Sequence, residues 1–266
     1  MPSIDELFRK LWEQYSTSNP QASAIHTLLA ERGETIINDH VAFRTFDDSR
    51  VNLDVLAKAF VDFGYHKAGE YDFDLKHLNA IHLSPPEDHF PKVFISELRL
   101  RAFSGGLQQI VLELLDQVDV AKTSEWDFSA SGRNWEVSYA EYEQLRQESE
   151  YAAWLSAFGF LANHFTVDVG RLKTFDSLQQ FNEFVKANGY PLNTSGGEIK
   201  GTPAEFLEQS STLAGEIEVT FTDGKQRIPA CYYEFARRYD QPDGNRFEGF
   251  ISKSADKIFE STDRKS

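Results

Sequence analysis

The chain has 266 residues, 41% of them hydrophobic and 26% charged, which is enough apolar mass for a substantial core and is not the composition of a disordered chain. A formal net charge of -15 argues against a nucleic-acid binder that tracks phosphates and against an anionic-membrane binder, because either partner would be repelled over most of the surface. A small anionic substrate stays open if cations gather in one pocket, so an arginine in a candidate site is informative.

Cys231 is the lone cysteine, which removes any intrachain disulfide framework or cysteine-based zinc site and fits a reducing compartment. The start Met1-Pro2-Ser3 leads into an amphipathic pattern with no apolar leader, and no stretch approaches the ~18 apolar residues of a membrane span. The expectation is a soluble cytoplasmic protein.

Residues 1–34 read as two helices. Ser3 and Glu6 make a capping-box pattern, and Ile4, Leu7, Phe8, Leu11, Trp12 and Tyr15 recur at helical spacing. Asn19-Pro20 then supplies the N-cap and first-position proline of a helix running to about Arg32, before Gly33.

Residues 35–100 read as strand, helix and three strands. The first strand is Val41 to Phe46; Leu53, Leu56, Phe60 and Phe63 line a helix stopping at Gly64; strands follow over His66–Phe73, Ala80–Ser84 and Val93–Leu98. Residues 101–160 form a helical connector, with a second capping-box pattern at Ser138 and Glu141 and a stop at Gly159.

Residues 161–239 repeat the earlier order: a strand from His164 to Val169, then a helix lined by Phe175, Leu178, Phe181, Phe184 and Val185 and ending at Gly189. His40 lies 25 residues before Tyr65 and His164 lies 26 before Tyr190, with a Gly-Tyr pair closing each helix. Strands Glu216–Phe221 and Cys231–Ala236, split by the turn signal Asp223-Gly224, complete the second module. Residues 240–266 are a turn-rich loop and, after Ser252, a polar tail. The expected fold is α+β: one domain in which two βαβββ-like modules form an open mixed β-barrel around a metal cleft, with additional N-terminal and central helices.

Each module puts a histidine at the start of its first strand and a glutamate in its last, Glu97 in one and Glu234 in the other, and the two positions are expected to correspond. Two neutral imidazoles and a carboxylate on one face leave open coordination positions, the arrangement that non-haem Fe(II) oxygenases use. His40, His164 and Glu234 are the candidate ligands, with Glu97 as a fourth ligand or a supporting group and His82 in reserve. A strand histidine taken singly, such as His26, His66, His77 or His89, is more often a hydrogen-bonded core or surface residue. Glu234 among Tyr232, Tyr233 and Phe235 is costly to bury without a cation, unless it sits at the surface paired with Arg237 or Arg238.

Arg44 lies four residues after His40, so period-two alternation puts both side chains on one face, where the guanidinium can bind a carboxylate. The competing reading pairs Arg44 with Asp47 or Asp39. Gln209-Ser-Ser-Thr212 is a polar run between apolar neighbours and a candidate pocket lining, with Gln209 and Ser211 as its site residues. The run Gly196 to Gly201 lacks phosphate-loop spacing and reads as a flexible turn. No serine is placed as a nucleophile beside an obvious base.

At His40-Val-Ala-Phe-Arg44, Asn163-His164-Phe-Thr-Val, Leu207-Glu-Gln-Ser-Ser-Thr-Leu-Ala214 and Tyr232-Tyr-Glu-Phe-Ala-Arg237, the chain resembles the 2-oxoadipate dioxygenase/decarboxylase family, from about Asp5 to about Ser261. The resemblance implies a fold similar to the vicinal oxygen chelate enzymes and an Fe(II) site, with His40, His164 and Glu234 matching the family's ligands and Arg44 its substrate-binding arginine. It further implies a small anionic 2-oxo acid and O2 as partners and a place in lysine catabolism. The family's bacterial enzymes of assigned activity are longer, and this chain is compact. Two other readings stand beside it: a redox-neutral isomerase or lyase using Zn(II) or Ni(II) with Glu97 as base, and a non-catalytic metabolite-binding protein.

Overall fold

The structure, a computed structural model, describes residues 2–251; the polar tail expected after Ser252 lies outside them. Glu6 N donates to the Ser3 hydroxyl to start α1 (Ile4–Ser18), and Pro20 starts α2 (Pro20–Glu31), while Asn19 turns its amide to the Tyr15 hydroxyl. The first βαβββ unit is β1 (Asn38–Phe46), α3 (Leu53–Asp62), β2 (His66–Phe73), β3 (Leu78–Ser84) and β4 (Lys92–Leu98). A helical stretch follows with α4 (Gly105–Leu115), α5 (Tyr139–Glu148) and α6 (Glu150–Phe158). The second unit holds β5 (Ala162–Asp168), α7 (Leu178–Ala187), β6 (Lys200–Thr202), β7 (Leu207–Ser211), β8 (Glu216–Phe221), β9 (Gly224–Pro229) and β10 (Glu234–Arg238).

Eight strands form one mixed, curled half-barrel sheet in the order β2-β3-β4-β1-β5-β10-β7-β6. Read outward from the central β1–β5 seam, both halves have the same plan: an inner strand, a parallel neighbour, then antiparallel strands to the edge. At the seam Ala42 faces His164 and His40 faces Thr166, the register of a two-fold that exchanges the two histidines. Gly64 and Gly189 end the corresponding helices α3 and α7 with φ of 96° and 89°, a conformation glycine adopts without strain.

Two expectations for the second unit are corrected. Asp223-Gly224 closes a separate hairpin of β8 on β9, so it does not divide β8 from the strand carrying Glu234, and Cys231, Tyr232 and Tyr233 precede that strand. The missing strands are β6 and β7, drawn from the segments read as a glycine-rich turn and a polar run. Their sequences hide them because Gln209, Ser210 and Ser211 are all buried, so the strand has no polar-out alternation to read.

Sheet alternation sorts the side chains into two environments. Phe43, Phe165 and Phe235 face the helices on one side: Phe43 meets Phe60 of α3, Phe165 meets Trp12 and Tyr15 of α1, and Phe235 meets Phe181 of α7. Full burial of each is worth about 1.5–3 kcal/mol. The opposite, inner face carries His40, Arg44, His164 and Glu234. At one end of it α6 lays Tyr151 and Trp154 against Arg44, the ring centroids 4.9 and 5.1 Å from its guanidinium carbon. Gly159 ends α6 at φ 69°, and a Cβ there would stand 2.3 Å from the Gly132 carbonyl oxygen, so this crossing tolerates glycine alone.

The register also corrects the expected pairing of Glu97 with Glu234. Glu234 lies beside Thr166 on β5, and the corresponding place on β4, beside Ala42, is taken by Phe94. Glu97 comes three residues later and faces the other side, where its carboxylate accepts from Leu53 N and from Asn79 Nδ2, each at 3.1 Å. It caps the N-terminus of α3. Glu97→Ala should therefore lower stability to chemical unfolding by about 1–3 kcal/mol while leaving Zn(II) affinity unchanged; a loss of affinity with stability intact would contradict this placement.

Candidate metal centre

His40 near the start of β1 and His164 near the start of β5 are each preceded by a residue whose side-chain oxygen meets the ring's Nδ1. Asp39 Oδ1 is 2.8 Å from His40 Nδ1, and Asn163 Oδ1 is 3.1 Å from His164 Nδ1. A ring that donates its Nδ1–H this way presents an unprotonated Nε2 at the opposite edge. Both Nε2 atoms point at one carboxylate: His40 Nε2 is 3.5 Å from Glu234 Oε1, and His164 Nε2 is 3.3 Å from Glu234 Oε2. The donor atoms of all three residues lie within 4.8 Å of one another, and all three side chains are buried.

Burial governs the electrostatics. It pushes the Glu234 carboxyl up, against the pull of His40 and of the Gln209 amide, which donates to Oε1 at 2.6 Å. It pushes His164 well below the ordinary imidazole range, with His40 and Arg44 acting in the same direction. For Asp39 burial also opposes ionisation, but Arg238 overrides it, donating through Nε at 2.6 Å and Nη2 at 2.9 Å, and the carboxyl stays well below the usual range. The result is a charged acceptor behind His40 and a neutral one behind His164. A carboxyl group and two imidazoles converging in a buried site fit a divalent cation, which would offset the cost of burying Glu234 ionised.

The structure brings most of the other candidates onto this face. Gln209 bonds Glu234 directly, and Ser211 is its cross-strand partner on β7. Arg44 is buried on the same face and donates from Nη1 to Glu150 at 3.2 and 3.4 Å, so neither Asp47 nor Asp39 is the carboxylate it meets there. Glu234 likewise has His40 and His164 beside it, and Arg238 serves Asp39 instead. His82 is buried on β3 but stands apart from the triad: its Nδ1 is 2.8 Å from the Tyr71 hydroxyl, and the Phe250 ring packs against both His40 and His82, at 4.9 and 5.3 Å. Burial, reinforced by Arg238, Lys92 and His40, pushes the His82 pKa down to about 4.

Several neighbours of the site escaped the sequence reading. Thr166 Oγ1 is 3.1 Å from His40 Nε2, the Tyr232 ring stacks on His164 at 4.7 Å, and Glu150 reaches Arg44 from 106 residues away. The Asp39-His40 and Asn163-His164 dipeptides were a usable signal, because each places an oxygen beside its imidazole. Asp39→Asn should weaken Zn(II) binding about 10- to 100-fold in a chelator-competition titration; unchanged affinity would show that the Asp39 bond does not support the ligand.

The sequence profile of the 2-oxoadipate dioxygenase/decarboxylase family matches residues 2–242. The rice protein named 2-oxoadipate dioxygenase/decarboxylase, chloroplastic/amyloplastic, is 37% identical over 274 residues, covering 93% of this chain and 75% of the relative. Among solved structures, the hydroxyglutarate synthase from Oryza sativa in complex with 2-oxoadipate superposes with a TM-score of 0.92 at 35% identity, covering 96% of this chain and 90% of that one. A chain from Shewanella frigidimarina that carries a provisional hydrolase name gives 0.91 at 48% identity, covering 95% and 99%. A glyoxalase-superfamily protein from Ralstonia eutropha, at 20% identity and a TM-score of 0.74, shares the fold. The chain belongs to the 2-oxoadipate dioxygenase/decarboxylase family, whose named members are oxidoreductases.

Proposed function

We propose that the protein is a non-haem Fe(II)-dependent dioxygenase/decarboxylase that converts 2-oxoadipate and O2 to 2-hydroxyglutarate and CO2. The observation that carries this reading is the buried His40, His164 and Glu234 cluster sharing one sheet face with a buried arginine. The two histidines and the glutamate would hold the ion, the donor set of an Fe(II) oxygenase with positions left for other ligands. A bound iron(II) would supply the redox chemistry with O2 and polarise the 2-oxo acid.

The protein's own groups would do the rest. Asp39 and Asn163 keep each imidazole oriented with Nε2 toward the ion. Gln209 holds one oxygen of Glu234 and so fixes the carboxylate plane. Arg44, gripped between the Tyr151 and Trp154 rings, would bind the distal carboxylate of a dicarboxylic 2-oxo acid and set which carbon faces the metal. Burial of the whole cluster keeps bulk water from the reacting atoms. The redox-neutral alternative loses its named base, since Glu97 caps α3 on the other face of the sheet. We place the reaction in the cytoplasm on the strength of a single cysteine in 266 residues, although the rice relative's name puts that protein in the plastid.

Oxygen consumption by anaerobically iron-loaded protein, measured against a panel of 2-oxo acids, tests the reading. With 2-oxoadipate the expected result is uptake of O2 matched one to one by 2-hydroxyglutarate and CO2, falling to background in His164→Ala. Bound iron without uptake for any 2-oxo acid would overturn it.

A further inference from the structure

Arg44 is a permanent cation held away from water. Its side chain is 2% exposed, and its guanidinium is fixed between two aromatic rings. Leaving such a group bare would be costly, and Glu150 supplies a carboxylate with both oxygens within 3.4 Å of Nη1.

The two partners are not held alike. Glu150 is the first residue of α6, directly after the helix break at Ser149 that separates α6 from α5, and its side chain is 24% exposed. It lines a cleft of about 470 Å³ together with Arg44, Tyr151, Lys76, His77 and Ser104. None of the three triad residues lines that cleft among the described residues, whereas Arg44 reaches it and shares the β1 face with His40. The ion pair therefore stands where the cleft meets the interior. Glu150 lines the cleft and is partly exposed, whereas Arg44 is enclosed by its two rings.

We propose that Glu150 is a placeholder carboxylate: it neutralises Arg44 before substrate arrives, and the distal carboxylate of a 2-oxo dicarboxylic acid displaces it into the cleft. The proposal rests on the reading of Arg44 as the substrate's carboxylate site. One carboxylate replaces another, so the buried guanidinium keeps its countercharge throughout the exchange. A monocarboxylic 2-oxo acid has nothing with which to displace Glu150, so it binds with the pair closed and its affinity does not depend on Glu150. Competition from Glu150 also lowers the apparent affinity for the true substrate by the fraction of time the pair is open.

Calorimetry on the Zn(II)-loaded protein, in which no turnover occurs, separates the possibilities with 2-oxoadipate and the equally long monocarboxylate 2-oxohexanoate as probes. Glu150→Gln should tighten 2-oxoadipate about tenfold and leave 2-oxohexanoate within about twofold; Glu150→Asp, too short to span to Arg44, should change affinity in the same direction. Unchanged or weaker binding of 2-oxoadipate in both variants would overturn the proposal and make Glu150 a fixed positioning partner of Arg44. Arg44→Ala reports on the underlying reading by itself. Loss of the preference for 2-oxoadipate upholds it whatever the Glu150 variants do, and a preference left intact removes it along with the placeholder.

Discussion

A carboxyl group buried against two imidazole rings is the constraint around which the rest of this structure is arranged. Glu234 is 1% exposed, and burial alone drives its pKa up. His164 is pushed down by the same cause, so the two side chains do not neutralise one another by exchanging a proton into a stable ion pair. A divalent cation would remove the conflict for all three residues at once, since it would take the lone pairs of the imidazoles and offset the charge of the carboxylate. The two-fold at the β1–β5 seam makes this possible by setting His40 and His164 against each other across a single strand boundary. β10 then delivers Glu234 from the neighbouring position.

The two halves differ in what they place at corresponding positions. The first half keeps Phe94 where the second has Glu234, and His82 where the second has Ser211, and it is closed over by Phe250. Behind His40 stands a charged Asp39, itself neutralised by Arg238, which also donates to the carbonyls of Phe247 and Gly249. The orientation of one candidate ligand is thereby tied to the segment that covers it. Behind His164 a neutral Asn163 does the same task with no countercharge. At the far end of β1 a second buried charge, Arg44, recruits Glu150 from the start of α6. In an acidic protein the buried Arg44 and Arg238 thus each have a carboxylate partner, one structural and one within reach of the cleft.

That His40 and Arg44 share a face was legible in the sequence because strand alternation is a local rule: residues four apart on one strand share a face wherever the strand sits. The helix ends at Gly64 and Gly189 were legible for a similar reason, since the left-handed turn has a residue requirement of its own. Glu234 could be named, but its correspondence with Glu97 could not be judged, because it depends on register between strands and on the β8–β9 hairpin inserted ahead of β10. β7 was misread because it serves a polar site: Gln209 bonds Glu234 and Ser210 bonds Asn182 of α7, so burial and hydrophobicity part company there. Glu150 carried no signal at all, as its meeting with Arg44 is made by the crossing of α6 over the sheet.

The claim most exposed to a direct test is that one metal ion sits among His40, His164 and Glu234. Crystals grown and loaded with Fe(II) under anaerobic conditions, with anomalous data collected on both sides of the iron edge, would locate the ion without reference to activity. The result expected is a single strong peak about 2.0–2.2 Å from His40 Nε2, His164 Nε2 and a Glu234 oxygen. Iron bound elsewhere, with these three side chains still contacting one another, would contradict the account.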